Sequence, residues 1–361
     1  MTVEKLTAAG FRNFSSLTFL PQPGINVIYG ENAQGKTNLL EALWLFCGAK
    51  SFRGAKDAEL KGFDREQAQI SCDYIFGEVQ KTAKITVLAK RQAEYGGKPL
   101  SSAAELAGKF YAIVFSPLDL NLVNGAPAMR RRFLDTAIGQ IFPTYNRALR
   151  SYIKAVEQRN RVLRDLKYFS QSENLLDDFE WALAGCAAEV LRHRQRYMQL
   201  LETVVPELYA GISGGREQLV LHYESTVLNG FDPAQLAAAY KNSRKADLFT
   251  GNTSIGPHRD DLTFLLNGRD ARRFGSQGQR RSIALALKLS EVRVIKKLTG
   301  EYPIVLLDDV MSELDENRQD FILNHILGWQ VFLTCCDPGN IKGLKNGTVF
   351  CMKSGEITRQ G

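Results

Sequence analysis

The spacing of apolar positions changes character along the chain. Residues 17–20 and 25–29 are short apolar runs, and residues 70–75 and 83–88 alternate apolar with polar, the period of a half-buried strand. Residues 39–46 interrupt these strands with helical spacing, and Gly96-Gly97-Lys98-Pro99 marks a hairpin-like turn. The middle of the chain is different. Over residues 144–167, Tyr145, Leu149, Tyr152, Val156, Leu163 and Leu166 fall on one helical stripe with arginines elsewhere, and residues 179–205 repeat the pattern. These predict antiparallel helices of a small lobe. Heptads are not sustained, so no long coiled coil is expected. Gly211 to Gly215 punctuates the exit, and from Ile255 strand and helix patterns alternate again. The expectation is one α/β domain split by a helical insertion: residues 1–120, an inserted lobe at 121–250, and a return to the core at 251–361.

Candidate chemistry sits where the strands end. Gly30-Glu31-Asn32-Ala33-Gln34-Gly35-Lys36-Thr37 has the form G-x-x-x-x-G-K-[ST], with a strand before it and a helix after it. Its glycines let backbone N–H groups turn onto phosphate oxygens. Lys36 is placed for the β and γ phosphates, and the Thr37 hydroxyl for Mg²⁺. The helix N-terminus adds partial positive charge at the same point. This predicts nucleoside triphosphate binding and by itself nothing narrower.

The apolar run Ile304-Val305-Leu306-Leu307 ends in Asp308-Asp309. An all-apolar strand is buried on both faces of a parallel sheet, and ligands gather at the carboxyl ends of such strands. Asp308 is the candidate Mg²⁺ holder and Asp309 the candidate general base for the attacking water. Aspartate is one methylene shorter than the glutamate usual there in ABC transporters, so slow turnover is expected, below about 10 s⁻¹.

Ser276-Gln277-Gly278-Gln279 precedes a long helical pattern, residues 280–297, and lies about thirty residues before the acidic strand. Serine with glutamine three residues on is a capping box. The spacing also resembles that of the ABC signature. There Ser276 and the Gly278 amide would face a γ-phosphate held by another copy, so that ATP glues a dimer. Gly278 suits that reading, because glycine in a first helical turn is poor for stability and good for close backbone approach. Ser312-Glu313-Leu314-Asp315 resembles the D-loop, with Asp315 along the dimer seam. Thr334 stands where transporters carry a switch histidine, and its hydroxyl is the candidate partner of the attacking water or the γ-phosphate.

Composition narrows the partner. The formal charge is +7 and the pI about 9.0. Residues 127–200 hold thirteen Lys and Arg against eight Asp and Glu, five of the seven excess charges. That points to a polyanion. Arg130, Arg131 and Arg132, followed by Arg147, Arg150, Lys154, Arg159, Arg161, Arg164 and Lys167, would neutralise DNA phosphates without reading sequence. The six cysteines form no C-x-x-C pair, so neither a zinc site nor a disulfide framework is expected. No apolar run is long enough to span a bilayer, and no secretory pattern opens the chain; a cytoplasmic location is expected.

With those residues in place, the chain resembles the RecF family of bacterial recombination-repair ATPases, which are ABC-type and related to SMC heads. The likeness rests on Phe11-Arg12-Asn13-Phe14, on Asn32, and on Thr37-Asn38-Leu39-Leu40-Glu41-Ala42-Leu43. It continues through Phe115-Ser116-Pro117-Leu118-Asp119-Leu120, Arg130-Arg131-Arg132-Phe133-Leu134-Asp135 and Gly256-Pro257-His258-Arg259-Asp260-Asp261-Leu262. The Ser276 and Asp308 motifs complete it. Thr334-Cys335-Cys336 departs from the family's threonine run. The resemblance implies an ABC-type P-loop ATPase head with an inserted helical lobe, and an ATP-dependent dimer on gapped or junction DNA. It also implies work with RecR and RecO in loading recombinase at gaps and stalled forks. It makes Arg12 a nucleotide contact and places Arg53 near phosphates or DNA.

Four other classes fit less of the pattern. An ABC transporter subunit calls for a switch histidine and no basic insertion. An SMC clamp calls for long coiled coils, and a nuclease-coupled ATPase for an acidic metal cluster. A small-molecule kinase leaves residues 276–279 unexplained.

Overall fold

A computed structural model describes residues 1–168, 175–227, 231–326, 328–337, 339 and 347–360. The chain opens with β1 (Thr2–Phe11), β2 (Phe14–Phe19), β3 (Ile25–Tyr29) and α1 (Lys36–Leu45). Next come β4 (Ala68–Phe76), β5 (Val79–Val87), β6 (Arg91–Tyr95), β7 (Lys98–Pro99) and β8 (Ala112–Phe115). Helices α2 (Pro127–Ile141), α3 (Pro143–Tyr168) and α4 (Leu175–Ser213) follow, then β9 (Leu219–Glu224), α5 (Pro233–Thr250), β10 (Asp261–Leu266), β11 (Arg269–Asp270) and α6 (Ala271–Phe274). The last part runs α7 (Gln277–Thr299), β12 (Ile304–Asp308), α8 (Glu316–His325), β13 (Val331–Cys335), β14 (Thr348–Lys353) and β15 (Glu356–Arg359).

Two compact units result. The first comprises Met1–Asn121, Leu208–Gly215 and Arg281–Gly361; the second comprises Leu122–Glu207 and Arg216–Arg280. The second unit therefore reaches Arg280 rather than ending near residue 250, and it includes Ser276–Gln279.

The first unit holds two six-stranded sheets. One is antiparallel, in the order β2-β1-β4-β5-β6-β7; the other runs β15-β14-β3-β13-β12-β8 with parallel neighbours from β14 to β8. Residues 304–308 are buried throughout, as an interior parallel strand requires. Helix α1 is buried on nearly every side: Leu39, Leu40, Leu43 and Leu45 join a core with Leu6, Ile70 and Ile85 of the antiparallel sheet and Val114, Leu306 and Phe332 of the parallel one. Phe19 closes that core edge-on against Phe332 and Phe350, at 5.9 and 5.0 Å between centroids. The helix that follows the phosphate loop is thus fixed by burial rather than by propensity.

The second unit packs helices with the three-stranded sheet β11-β10-β9. Tyr145, Tyr152, Val156 and Leu163 of the α3 stripe are buried. Helix α4 runs on through Pro206, past the expected end at residue 205. Burial of Leu208 and Tyr209 beyond the proline offsets the lost hydrogen bond. Helix α5 is capped by Asp232, has proline in its first turn, and ends on Gly251 at φ 69°.

Candidate functional site

The phosphate loop leaves β3, which lies between β14 and β13, and enters α1. Its backbone turns through Gly30 (φ 155°), Ala33 (φ 65°) and Gly35 (φ 116°). Two neighbouring turns grip it. The Asn13 amide donates to the Gln34 carbonyl at 2.9 Å from the β1–β2 turn. From the β14–β15 turn, Gly355 N–H reaches the same oxygen at 3.1 Å and Ser354 N–H reaches Gln34 Oε1 at 2.5 Å. A Cβ on Gly35 would stand 2.8 Å from Asn13 Nδ2, and one on Gly30 would collide with the Met352 carbonyl. The glycines are therefore required by packing as well as by backbone angle. Lys36 is curled over the loop, donating to the carbonyls of Gly30 and Glu31 at 2.5 and 2.8 Å. Those bonds hold the amine where phosphate oxygens can replace the carbonyls.

The acidic strand meets the loop as its sequence predicts. The Thr37 hydroxyl donates to Asp308 Oδ1 at 2.8 Å, across 271 residues of sequence. Burial raises the Asp308 carboxyl above its usual range, against hydrogen bonds from Thr37 and Thr334. A buried carboxylate beside a hydroxyl suits a hard divalent cation, which takes oxygen donors. Among the described residues no group of three or more His, Cys, Asp or Glu gathers elsewhere to hold a metal.

Thr334 has a different place from the one expected. It is buried; its hydroxyl donates to Asp308 Oδ1 at 3.1 Å and accepts the Asp309 N–H at 2.9 Å. It joins the two acids. Asp309 adopts φ 52°, a left-handed conformation uncommon for residues other than glycine. Its carbonyl accepts from the Ser312 hydroxyl at 2.8 Å. Burial raises its carboxyl, with Lys36 opposing. Cys336 is exposed, with its thiol 3.3 Å from Asn32 Oδ1.

Arg12 is likewise committed. Its guanidinium grips the buried Glu41 with two bonds of 2.8 and 2.9 Å and donates to the Glu59 carbonyl at 2.7 Å. In this arrangement it braces α1. Arg53 donates to Asn38 at 2.9 Å, lies 3.9 Å from Glu41, and remains partly exposed. Asn38 in turn donates to Asn13 Oδ1 at 2.8 Å, so Arg53 stands at the rim of the phosphate-loop scaffold.

The Ser276 segment forms both halves of its capping box: Ser276 N–H to Gln279 Oε1 at 2.6 Å and Gln279 N–H to Ser276 Oγ at 3.2 Å. Helix α7 begins at Gln277, three residues before the expected 280, so Gly278 lies inside its first turn. Ser276 and Gln277 are exposed, and no acid occupies the first turn; the positive end of a 23-residue helix faces outward. Asp315 caps α8 through the Arg318 N–H at 3.1 Å and pairs with the Arg318 side chain while staying half exposed.

The expected basic surface needs correction. Arg130 is buried, paired with Asp261 at 2.7 Å and donating to the carbonyls of Leu122, Val123 and Gly125. Arg159 is buried between Asp247 at 2.7 Å and Glu180 at 2.9 Å. Arg131 donates to the Asp260 carbonyl at 2.9 Å. Arg132, Arg147, Arg150, Lys154, Arg161 and Arg164 are exposed, and the Lys167 side chain lies outside the described residues. The Gly256–Asp261 string is interior scaffolding too. His258 bridges Tyr152 at 2.5 Å and the Thr253 carbonyl at 3.0 Å, and Asp260 accepts from Tyr223 at 2.5 Å and Thr226 N–H at 2.8 Å. Burial lowers the His258 imidazole, so it is neutral at pH 7 and supplies no charge for DNA. Arg159→Ala should cost about 3–5 kcal/mol, since it leaves the buried Asp247 without its cationic partner, while Glu180 keeps Arg244. Thermal denaturation reads this; unchanged stability with weakened DNA binding would return Arg159 to the surface role.

Comparison with known proteins points to one family. The family model described as RecF/RecN/SMC N terminal domain matches residues 2–355. The DNA replication and repair protein RecF of Agathobacter rectalis is 38% identical over 339 residues, covering 93% of this chain and 92% of its own. That of Halalkalibacterium halodurans is 36% identical over 381 residues, covering 100% of both. Among solved structures, the recombination mediator protein RecF-ATPrS in the RecFOR pathway superposes with TM-score 0.93 at 33% identity, over 99% of this chain and 98% of that one. RecF-ATP of the same pathway gives 0.91 at 33%, over 100% and 98%. The Smc head of Pyrococcus furiosus, at TM-score 0.55 and 15% identity over 100% and 96%, shares the fold.

Proposed function

The chain belongs to the RecF family of DNA replication and repair proteins, and from that membership we propose that it is an ATP-driven dimer that clamps gapped or junction DNA. In this reading ATP binds with Mg²⁺ at Gly30–Thr37 and Asp308, and a second copy completes the pocket with its own Ser276 and Gly278. The observation that carries the reading is the exposed start of α7 at Ser276, in a chain where Thr37 of the phosphate loop is hydrogen-bonded to Asp308 at the end of the acidic strand. Asp309 activates water, and hydrolysis is slow enough to act as a switch. Dimerisation on gaps or stalled forks, with RecR and RecO as partners, would help to load recombinase. Among the described residues no helix is long and apolar enough to cross a membrane, in keeping with work on DNA in the cytoplasm.

Light scattering with and without ATP, in the presence and absence of gapped DNA, tests the central claim. A strictly solitary ATP-bound chain would refute it.

DNA contact falls in this reading to Arg53 and to the exposed Arg132, Arg147, Arg150, Lys154, Arg161 and Arg164. Charges that touch phosphate without touching bases give binding that is salt-dependent and indifferent to sequence. Between 50 and 200 mM salt, affinity should fall about 10³-fold or more if the dimer makes six or more phosphate contacts. Fluorescence anisotropy at several salt concentrations measures the slope, and a flat profile would rule out phosphate neutralisation.

A further inference from the structure

The phosphate loop is fastened at one peptide, and the fastening runs out to an exposed cation. The Gln34 carbonyl accepts two donors, the Asn13 side-chain amide at 2.9 Å and the Gly355 N–H at 3.1 Å. The two turns that supply them interlock: a Cβ on Gly355 would stand 2.8 Å from the Asn13 carbonyl. A trans peptide sets its carbonyl and its N–H on opposite sides. Holding the Gln34 oxygen toward these turns therefore directs the Gly35 N–H the other way. The Gly35 carbonyl accepts from the Leu39 N–H at 3.0 Å, the first bond of α1. Its own N–H is thus among the amides that a helix start leaves for an anion.

The Asn13 amide is itself oriented from outside. Its Oδ1 accepts from Asn38 Nδ2 at 2.8 Å, and Asn38 Oδ1 accepts from Arg53 Nη1 at 2.9 Å. Asn38 lies in the first turn of α1, and the Arg53 side chain is partly exposed. A guanidinium can only donate and a carbonyl can only accept, whereas a carboxamide offers an oxygen on one side and an NH2 on the other. With Arg53 at one end and the Gln34 carbonyl at the other, both carboxamides must face the same way. Turning either one over sets like groups against each other. All three bonds are open to water, and solvent serves each partner almost as well, so they add little to folding. What they fix is direction.

We propose that Asn13 and Asn38 are positioning residues for the nucleotide. With Arg53 as the end that only donates, they form a polarised relay that turns the Gln34 carbonyl outward and the Gly35 N–H toward the triphosphate. The two asparagines act through the loop backbone rather than by contact with nucleotide. Arg53 acts on the loop through them, a role separate from contact with DNA. The inference rests on the reading of Gly30–Thr37 as the triphosphate site.

Equilibrium dialysis with Mg-ATP and thermal denaturation of the full-length chain test it. Asn13→Ala should weaken ATP binding about tenfold, on the scale of one hydrogen bond, while the melting temperature stays within about 2 °C of the wild type. Asn13→Asp keeps the shape but offers the Gln34 carbonyl an acceptor, and should weaken binding at least as much. Arg53→Met should weaken binding about threefold alone and no further in an Asn13→Ala background, because members of one relay are not additive. Arg53→Lys, which also only donates, should bind ATP within about twofold of the wild type. Wild-type affinity in both Asn13 variants would overturn the inference. So would losses at Asn13 and Arg53 that add, which would make Arg53 an independent contact, or a melting temperature that falls together with affinity, which marks a packing role. If the wild type itself binds no ATP, the underlying reading fails first and this one with it.

Discussion

Replacing Ser276 with arginine should leave ATP binding nearly intact and abolish ATP-driven dimerisation. The side chain is exposed at the first turn of α7, so an arginine there has room in the single chain. Losing the cap costs about 0.5–2 kcal/mol, which a helix with Ile283, Leu285, Leu287 and Val292 buried tolerates. In the proposed dimer the same arginine would fill the space assigned to another copy's γ-phosphate. A second variant separates that reading from the plain helix cap. Ser276→Asp keeps a strong N-cap and suits the helix dipole, so a residue that only caps would be unharmed by it. If Ser276 faces a triphosphate, the added negative charge repels it, and dimerisation should fail almost as completely as with arginine. Equilibrium dialysis with ATP and light scattering with and without gapped DNA read both arms. Wild-type dimerisation by Ser276→Asp would reduce the segment to a cap.

The meeting of the phosphate loop and the acidic strand was largely legible because its signals are local. The strand at Ile25–Tyr29, the loop after it and the apolar run into Asp308 each lie within about ten residues, and the structure joins them through Thr37 and Asp308. The capping box at Ser276 was equally local. What holds the loop was not legible. Asn13 and Ser354–Gly355 reach Gln34 from β-turns 21 and some 320 residues away, and nothing near either turn announces it.

The arginines of the second unit show a subtler failure. Charge alone placed Arg159 on a solvated, DNA-facing surface. Yet the α3 stripe Tyr145, Leu149, Tyr152, Val156, Leu163, Leu166 skips one turn, and Arg159 occupies the missing position. Arg194 stands in the same way between the buried pairs Val190–Leu191 and Tyr197–Met198, and it is itself buried against Asp135. A charge on an apolar stripe signals a buried pair, and its partner has to be sought far along the chain. For Arg159 those partners are Glu180 and Asp247. Helix α5 was overlooked although Asp232-Pro233 and Gly251 are ordinary start and stop signals, because its apolar face is thin: only Leu236 and Tyr240 of its apolar residues are buried.

Asp309→Asn should lower steady-state ATP hydrolysis by about 10²–10⁴-fold, the range associated with loss of a positioned general base, while ATP binding and dimerisation persist. The geometry separates the two acids. Asp308 is tied to Thr37 and Thr334, and in the proposed reading it serves the cation. Asp309 has its N–H held by Thr334 and its carbonyl by Ser312, at a left-handed φ that fixes where the side chain leaves the backbone. Burial raises its carboxyl above the usual range, which brings a base closer to neutrality and makes it a better proton acceptor. Asparagine keeps the shape and tolerates the left-handed backbone, so folding should be spared and the ATP-bound dimer should accumulate. Phosphate release and light scattering on the same samples measure both. Hydrolysis within a few-fold of wild type would place the base elsewhere, and loss of dimer together with hydrolysis would make Asp309 structural. Thr334→Val removes the hydroxyl that aligns both acids and should also slow hydrolysis, but by less, because the base itself remains.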